Sequence, residues 1–126
     1  MVGFHIGYPD VSPDTMGKGY PAFLEKYKKA YGEAPISGYH ANAYDAAEMA
    51  IKAIEKVAKT DKDGNLYIGR KALRDAVFAE NFAGLSGPIA CDKYGQCAAF
   101  KPAVYEFVSA DPKTFTMGKN PKKIWP

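Results

Sequence analysis

The chain has 126 residues, 47% of them apolar and 25% charged, with a formal net charge of +3. That length holds one domain at most, and the composition is ordinary for a globular protein. The mild charge, with lysines interleaved among Glu and Asp, excludes the footprint of a nucleic-acid binder. No apolar run approaches the ~20 residues of a membrane span, and residues 1–6 lack the basic region and cleavage site of a secretory signal.

The first element predicted is a short strand over residues 2–8, where Phe4, Ile6 and Tyr8 alternate with Gly3, His5 and Gly7. Pro9 and Pro13, with Asp10 and Ser12 between them, stop it. A helix follows, with Pro21 in its first turn and Tyr20, Phe23, Leu24, Tyr27 and Tyr31 on one face. Gly32 and Pro35 end it.

The longest helical pattern runs from about residue 41 to 59. Ala43, Ala46, Ala47, Ala50, Ile51, Ile54 and Val57 form an apolar stripe on it, opposite Glu48, Lys52 and Lys56. The stripe is expected to face inward, and its small residues admit a close neighbour. Tyr39, His40, Asn42, Tyr44 and Asp45 gather at the N-terminal end, where free N–H groups and the helix dipole favour a small anionic ligand. Asp45 is expected in the first turn, where a carboxylate complements that dipole.

Residues 60–65 read as a turn, since Gly64 stands at the wrong place for a calcium loop and no Glu closes it. A short extended piece at 66–68 and a third helix over 70–79 come next, then a loop over 80–88. Residues 89–91 and 97–100 read as a hairpin around a turn at 92–96, and 103–108 as the clearest late strand. Residues 111–126 read as an extended tail docked by Phe115, Ile124 and Trp125, with Lys119, Lys122 and Lys123 as a solvated basic cluster.

The order is β-α-α-α-β-β-β, an α/β mixture whose sheet is thin for three helices. Such helices need cover from another segment of a longer protein or from a second copy of the chain. Cys91 and Cys97 flank the turn-like stretch 92–96. A bridge in an oxidising compartment suits them better than a metal, because the spacing is not C-x-x-C and His5 and His40 are distant in sequence. Nothing nearby would lower a thiol pKa or act as its base, and no phosphate loop, nucleophile elbow or zinc-protease motif occurs. Neither catalysis nor a cofactor is expected.

The ordered set of motifs carries a resemblance. Pro9-Asp10-x-Ser12 is followed by Phe23-x-x-x-Tyr27, Tyr31-Gly32-x-x-Pro35 and Tyr44-Asp45-Ala46, then by Leu73-Arg74-Asp75-Ala76. After these come Phe82-x-Gly84-Leu85-x-Gly87-Pro88-Ile89-x-x-Asp92-x-x-Gly95 and Val104-Tyr105-Glu106. Over residues 2–108 the chain resembles the C-terminal part of the substrate-binding proteins of branched-chain amino acid ABC transporters, the leucine/isoleucine/valine-binding type.

The resemblance implies a fragment of the type I periplasmic-binding-protein fold. Three helices would pack on a small sheet, with a β-hairpin and a C-terminal strand. Residues 1–110 would be the C-terminal part of the two-lobe fold and 111–126 its tail. It also implies hinge closure on an amino acid or related carboxylate, delivery to a membrane permease, and a periplasmic or extracellular location. Tyr39 matches a position where the family sets an aromatic against the ligand side chain. His40 and Asn42 are near enough to line the cleft, and Tyr8 and Asp10, at a strand end close to a crossing segment, are more remote candidates. Some members carry a cysteine pair like Cys91 and Cys97, which fits a periplasmic disulfide. The groups that hold the ligand's carboxylate and ammonium in that family have no counterpart here. A receptor's sensing domain with the same fold, or a self-associating module that binds no ligand, are the alternatives.

Overall fold

The computed structural model describes residues 2–10, 12–98, 101–116 and 118–126. Strand β1 (Phe4–Pro9) leads through a 3-10 turn at Pro13–Thr15 into helix α1 (Tyr20–Tyr31) and helix α2 (Tyr39–Val57). A small hairpin, β2 (Lys59–Thr60) with β3 (Leu66–Tyr67), precedes helix α3 (Arg70–Phe78). A second hairpin pairs β4 (Asn81–Ala83) with β5 (Pro88–Ala90). Strands β6 (Pro102–Phe107) and β7 (Lys122–Trp125) complete a three-stranded antiparallel sheet in the order β1-β6-β7.

The helix ends follow from local chemistry. Pro21 sits in the first turn of α1, and Gly32 ends it at φ 81°, a left-handed conformation that glycine reaches without strain. At residues 61–65 the Asp61 carboxylate accepts the Asp63 and Asn65 backbone N–H groups, each at 2.9 Å, and Gly64 turns the chain at φ 83°. The acidic run there is an Asx-type turn that uses its own carboxylate.

Three expectations are corrected. Residues 81–83 are strand β4, not loop, because Phe82 pairs with Ile89 across the hairpin. Helix α2 begins at Tyr39, which puts Asp45 in its second turn, beyond the reach of a dipole-capping role. The Ala-rich stripe does not face inward either: Ala43, Ala46, Ala47, Ala50 and Ile51 are exposed, while Ala41, Asp45 and Ala53 are buried.

The physical reason lies in the polar side chains. Lys52 lays its ammonium over the Phe82 ring at 4.0 Å from the centroid, and Lys56 donates to the buried Glu80 carboxylate at 2.6 Å. Long lysines cover apolar surface with their stems and keep the charged head outermost, so the face that looked solvated is the one that packs. α2 is held in this rotation by Asp45, whose carboxylate takes the Leu85 N–H at 2.6 Å and the Ser86 N–H at 2.7 Å.

The segment around Gly84 is clamped on both sides. A Cβ at Gly84 would stand 2.6 Å from the Asp45 carboxyl carbon, and one at Gly17 would overlap the Gly84 carbonyl oxygen. The Gly17 N–H meanwhile donates to the Leu85 carbonyl at 2.7 Å. Gly17→Ala is therefore expected to destabilise by on the order of 2 kcal/mol through overpacking. Urea unfolding read by circular dichroism checks this; a loss below about 0.5 kcal/mol would show that the two loops can separate freely.

The hairpin expected around residues 92–96 is present as a turn. Asp92 accepts the Tyr94 and Gln96 N–H groups at 2.8 and 3.0 Å, Ile89 bridges to Ala98, and Cys91 and Cys97 form a disulfide. Residues 99 and 100 of that expectation lie outside the described residues. The segment expected as a tail returns to the sheet as β7, and Phe115 packs its ring 5.6 Å from Phe107. No helix is long and apolar enough to cross a membrane among the described residues.

Candidate functional site

The site is built where β1 ends and α2 begins. Alternation along the sheet puts Tyr8, Ala103, Tyr105 and Lys123 on one face, since Tyr8 pairs with Ala103 and Tyr105 with Lys123. Tyr8 meets the Tyr39 ring edge-on at 5.7 Å and the Tyr105 ring edge-on at 6.4 Å. This edge-to-face geometry is favourable for aromatic pairs. Tyr39 remains 40% exposed, so the pair is a wall with one open side. The Tyr8 hydroxyl, as a hydrogen-bond partner, pushes the Tyr39 phenol up to about 12, with burial adding to it. Tyr39 is therefore a neutral hydrogen-bond donor near pH 7.

Behind the wall lies a buried polar network. Asp10 Oδ2 accepts from Lys123 Nζ at 2.5 Å, and its Oδ1 accepts from the Ser12 N–H at 3.1 Å and the Tyr105 hydroxyl at 3.2 Å. Ser12 Oγ lies 3.4 Å from the Tyr105 hydroxyl and is the donor of that pair, because the tyrosine proton is directed at Asp10. Burial works against ionisation of Asp10, but the bonds from Lys123 and Ser12 outweigh it and hold the carboxyl at about 2. The same contact raises Lys123, and burial raises Tyr105. The expectation that Lys123 belongs to a solvated cluster is thus corrected: strand pairing turns it inward to a carboxylate.

His40 and Asn42 point elsewhere. Successive residues of a helix are about 100° apart, which turns His40 onto Tyr27, ring to ring at 5.3 Å. Its Nδ1 sits 2.9 Å from the Ser37 carbonyl, so that nitrogen carries the proton. Both rings line a groove of about 360 Å³ between α1 and α2, with Phe23, Lys26 and Tyr44. Asn42 lines a smaller pocket of about 110 Å³ with Asp45, Met49, Ser86, Ile89 and Cys97. Of the residues expected at a ligand, Tyr8 and Tyr39 come together, with Asp10 joined to Tyr8 through Tyr105; His40 and Asn42 line other pockets. Sequence reasoning missed Tyr105 and Lys123. The signal for Lys123 was its place in Lys-Lys-Ile-Trp, a run that can alternate as a strand.

No family model matches the chain. Over 43 residues, 34% of the chain, it is 44% identical to the Leu/Ile/Val-binding protein homolog 7 of Brucella abortus, in strain 2308 and in biovar 1 strain 9-941. In structure it matches the leucine-binding protein LivK of Thermotoga maritima with a TM-score of 0.59 at 24% identity, over 87% of this chain. The chain has the fold of the corresponding part of that leucine-binding protein. The resemblance read from its motifs is met by proteins of that name in sequence and in fold. The chain spans 29% of the LivK structure, and the stretch shared with the Brucella proteins is 11% of their length. Those relatives are named as binding proteins, not as enzymes.

Proposed function

We propose that the chain is the C-terminal part of a solute-binding protein of an ABC importer. In this reading it captures an amino acid or a related small carboxylate by closure of two lobes and delivers it to a membrane permease. The observation that supports the reading is the agreement of two likenesses, one in sequence and one in fold, on proteins named for leucine-type ligands. This chain contributes the Tyr8–Tyr39 wall for an apolar side chain; the partners of the ligand's charged groups come from the rest of the binding protein. The Cys91–Cys97 bridge supports a periplasmic or extracellular location, where disulfides persist.

The test is calorimetric titration of leucine, isoleucine, valine and small carboxylates into the whole binding protein that contains this segment. One of these ligands is expected to bind, and Tyr39→Ala is expected to weaken it about tenfold, the loss of roughly one aromatic contact. Unchanged affinity would remove Tyr39 from the site. A cooperatively folded protein that binds none of them would end the solute-binding reading. If this chain then dimerised, the self-associating module would take its place, a reading that the exposed Ala43–Ala47–Ile51 face favours.

A further inference from the structure

We infer that Lys123 is a positioning residue for the Tyr8–Tyr39 wall, acting through Asp10 and Tyr105 from the last strand. The inference rests on the solute-binding reading for its purpose, and on geometry for its content. Lys123 bonds to Asp10, not to the hydroxyls of the wall, among the described residues. It lies opposite Tyr105 in the β6–β7 pairing, on the sheet face that also carries Tyr8. Its ammonium satisfies one oxygen of an Asp10 side chain that is only 4% exposed, and the other oxygen holds Ser12 and Tyr105.

A buried carboxylate tolerates its place only while its charge is paired and its lone pairs are filled. Without Lys123, Asp10 must take up a proton or turn toward water. Either change disturbs the bond that fixes the Tyr105 hydroxyl. Tyr105 is fully buried, so its ring has few other positions. Tyr8 rests edge-on against that ring, only two residues ahead of Asp10 with Pro9 between them. Any displacement of Tyr105 or of the Asp10 backbone is thus transmitted to Tyr8, and from Tyr8 to Tyr39. The segment beyond residue 110 thereby supports the site without contacting a ligand, and the wall's geometry depends on a charge pair across the sheet.

The experiment is ¹⁹F NMR on the chain carrying 3-fluorotyrosine, with the Tyr8 and Tyr39 resonances assigned from Tyr8→Phe and Tyr39→Phe. Lys123→Met is expected to move both resonances by several line widths and to leave the exposed Tyr94 in place. Lys123→Arg, which keeps the charge, is expected to restore both. A folded Lys123→Met chain with Tyr8 and Tyr39 unmoved overturns the proposal. If Lys123→Met does not fold, Asp10→Asn is compared with Asp10→Asn/Lys123→Met, in which no buried charge remains. The two spectra are expected to agree at Tyr8 and Tyr39, and a further shift in the double variant overturns the route through Asp10. No ligand is added, so this outcome is independent of the leucine titration.

Discussion

Asp45→Ala is expected to lower the free energy of unfolding by about 3–5 kcal/mol. The carboxylate is 2% exposed and takes three hydrogen bonds from one loop: the Leu85 N–H at 2.6 Å, the Ser86 N–H at 2.7 Å and the Ser86 hydroxyl at 2.6 Å. Bonds to a charged group are the strong ones, and alanine would leave three donors facing an empty site. Asp45→Asn is expected to lose about 2 kcal/mol, because one end of the amide presents its own N–H groups to donors. Urea denaturation at pH 7 measures both. Among the described residues few large side chains are buried, Tyr105 being the largest of those fully enclosed, so a loss of this size removes much of the chain's stability. A loss under about 1 kcal/mol for alanine would mean that water replaces the carboxylate at no cost and that α2 is oriented by something else.

The second large effect is acid destabilisation through Asp10. Its carboxyl titrates near 2 in the folded chain against an ordinary value of 3.8. Above the higher value the group is ionised whether the chain is folded or not, and its stabilisation is fully present. As the pH falls below it, the unfolded chain takes up the proton first, and the stabilisation drains away until the folded carboxyl protonates as well. The amount at stake is on the order of 2 kcal/mol, because each tenfold change in proton affinity on folding is worth about 1.4 kcal/mol. Other carboxylates titrate in the same interval, so the readout is the difference between the native chain and Asp10→Asn. That difference is expected to be constant from pH 7 to about 4 and to close between about 4 and 2. A difference that stays constant down to pH 2 would show that Lys123 and Ser12 do not favour the ionised form.

The local elements were legible in the sequence because their signals are local. Pro21 and Gly32 bound α1, the alternation around Ile6 marks β1, and Asp92 with Gly95 marks the turn inside the disulfide. The wall was legible in half: Tyr8 and Tyr39 were expected from the resemblance, and the fold brings their rings together. What the sequence hid depends on rotation and on long-range pairing. A helix with Ala on one side and Lys and Glu on the other gives two readings of which side is buried. Hydropathy chooses the Ala side, while the Lys52–Phe82 and Lys56–Glu80 contacts choose the other. β4 was hidden because its pairing with β5 spans Gly84 and Gly87, residues that announce a loop. Lys123 was hidden because its partner lies 113 residues away.

That separation has a kinetic side. β1 is made before its strand partner among the described residues, which is β6, with Phe4 opposite Phe107 and Pro9 opposite Pro102. Contacts so distant along a chain form slowly, because a long loop must close before any of them is rewarded. During synthesis all three helices can form before β6 emerges to take the β1 edge that it pairs with. An unpaired edge of this kind is a template for the wrong strand. That edge is therefore most open to a wrong partner between the emergence of β1 and that of β6, and least once Asp10 has met Lys123.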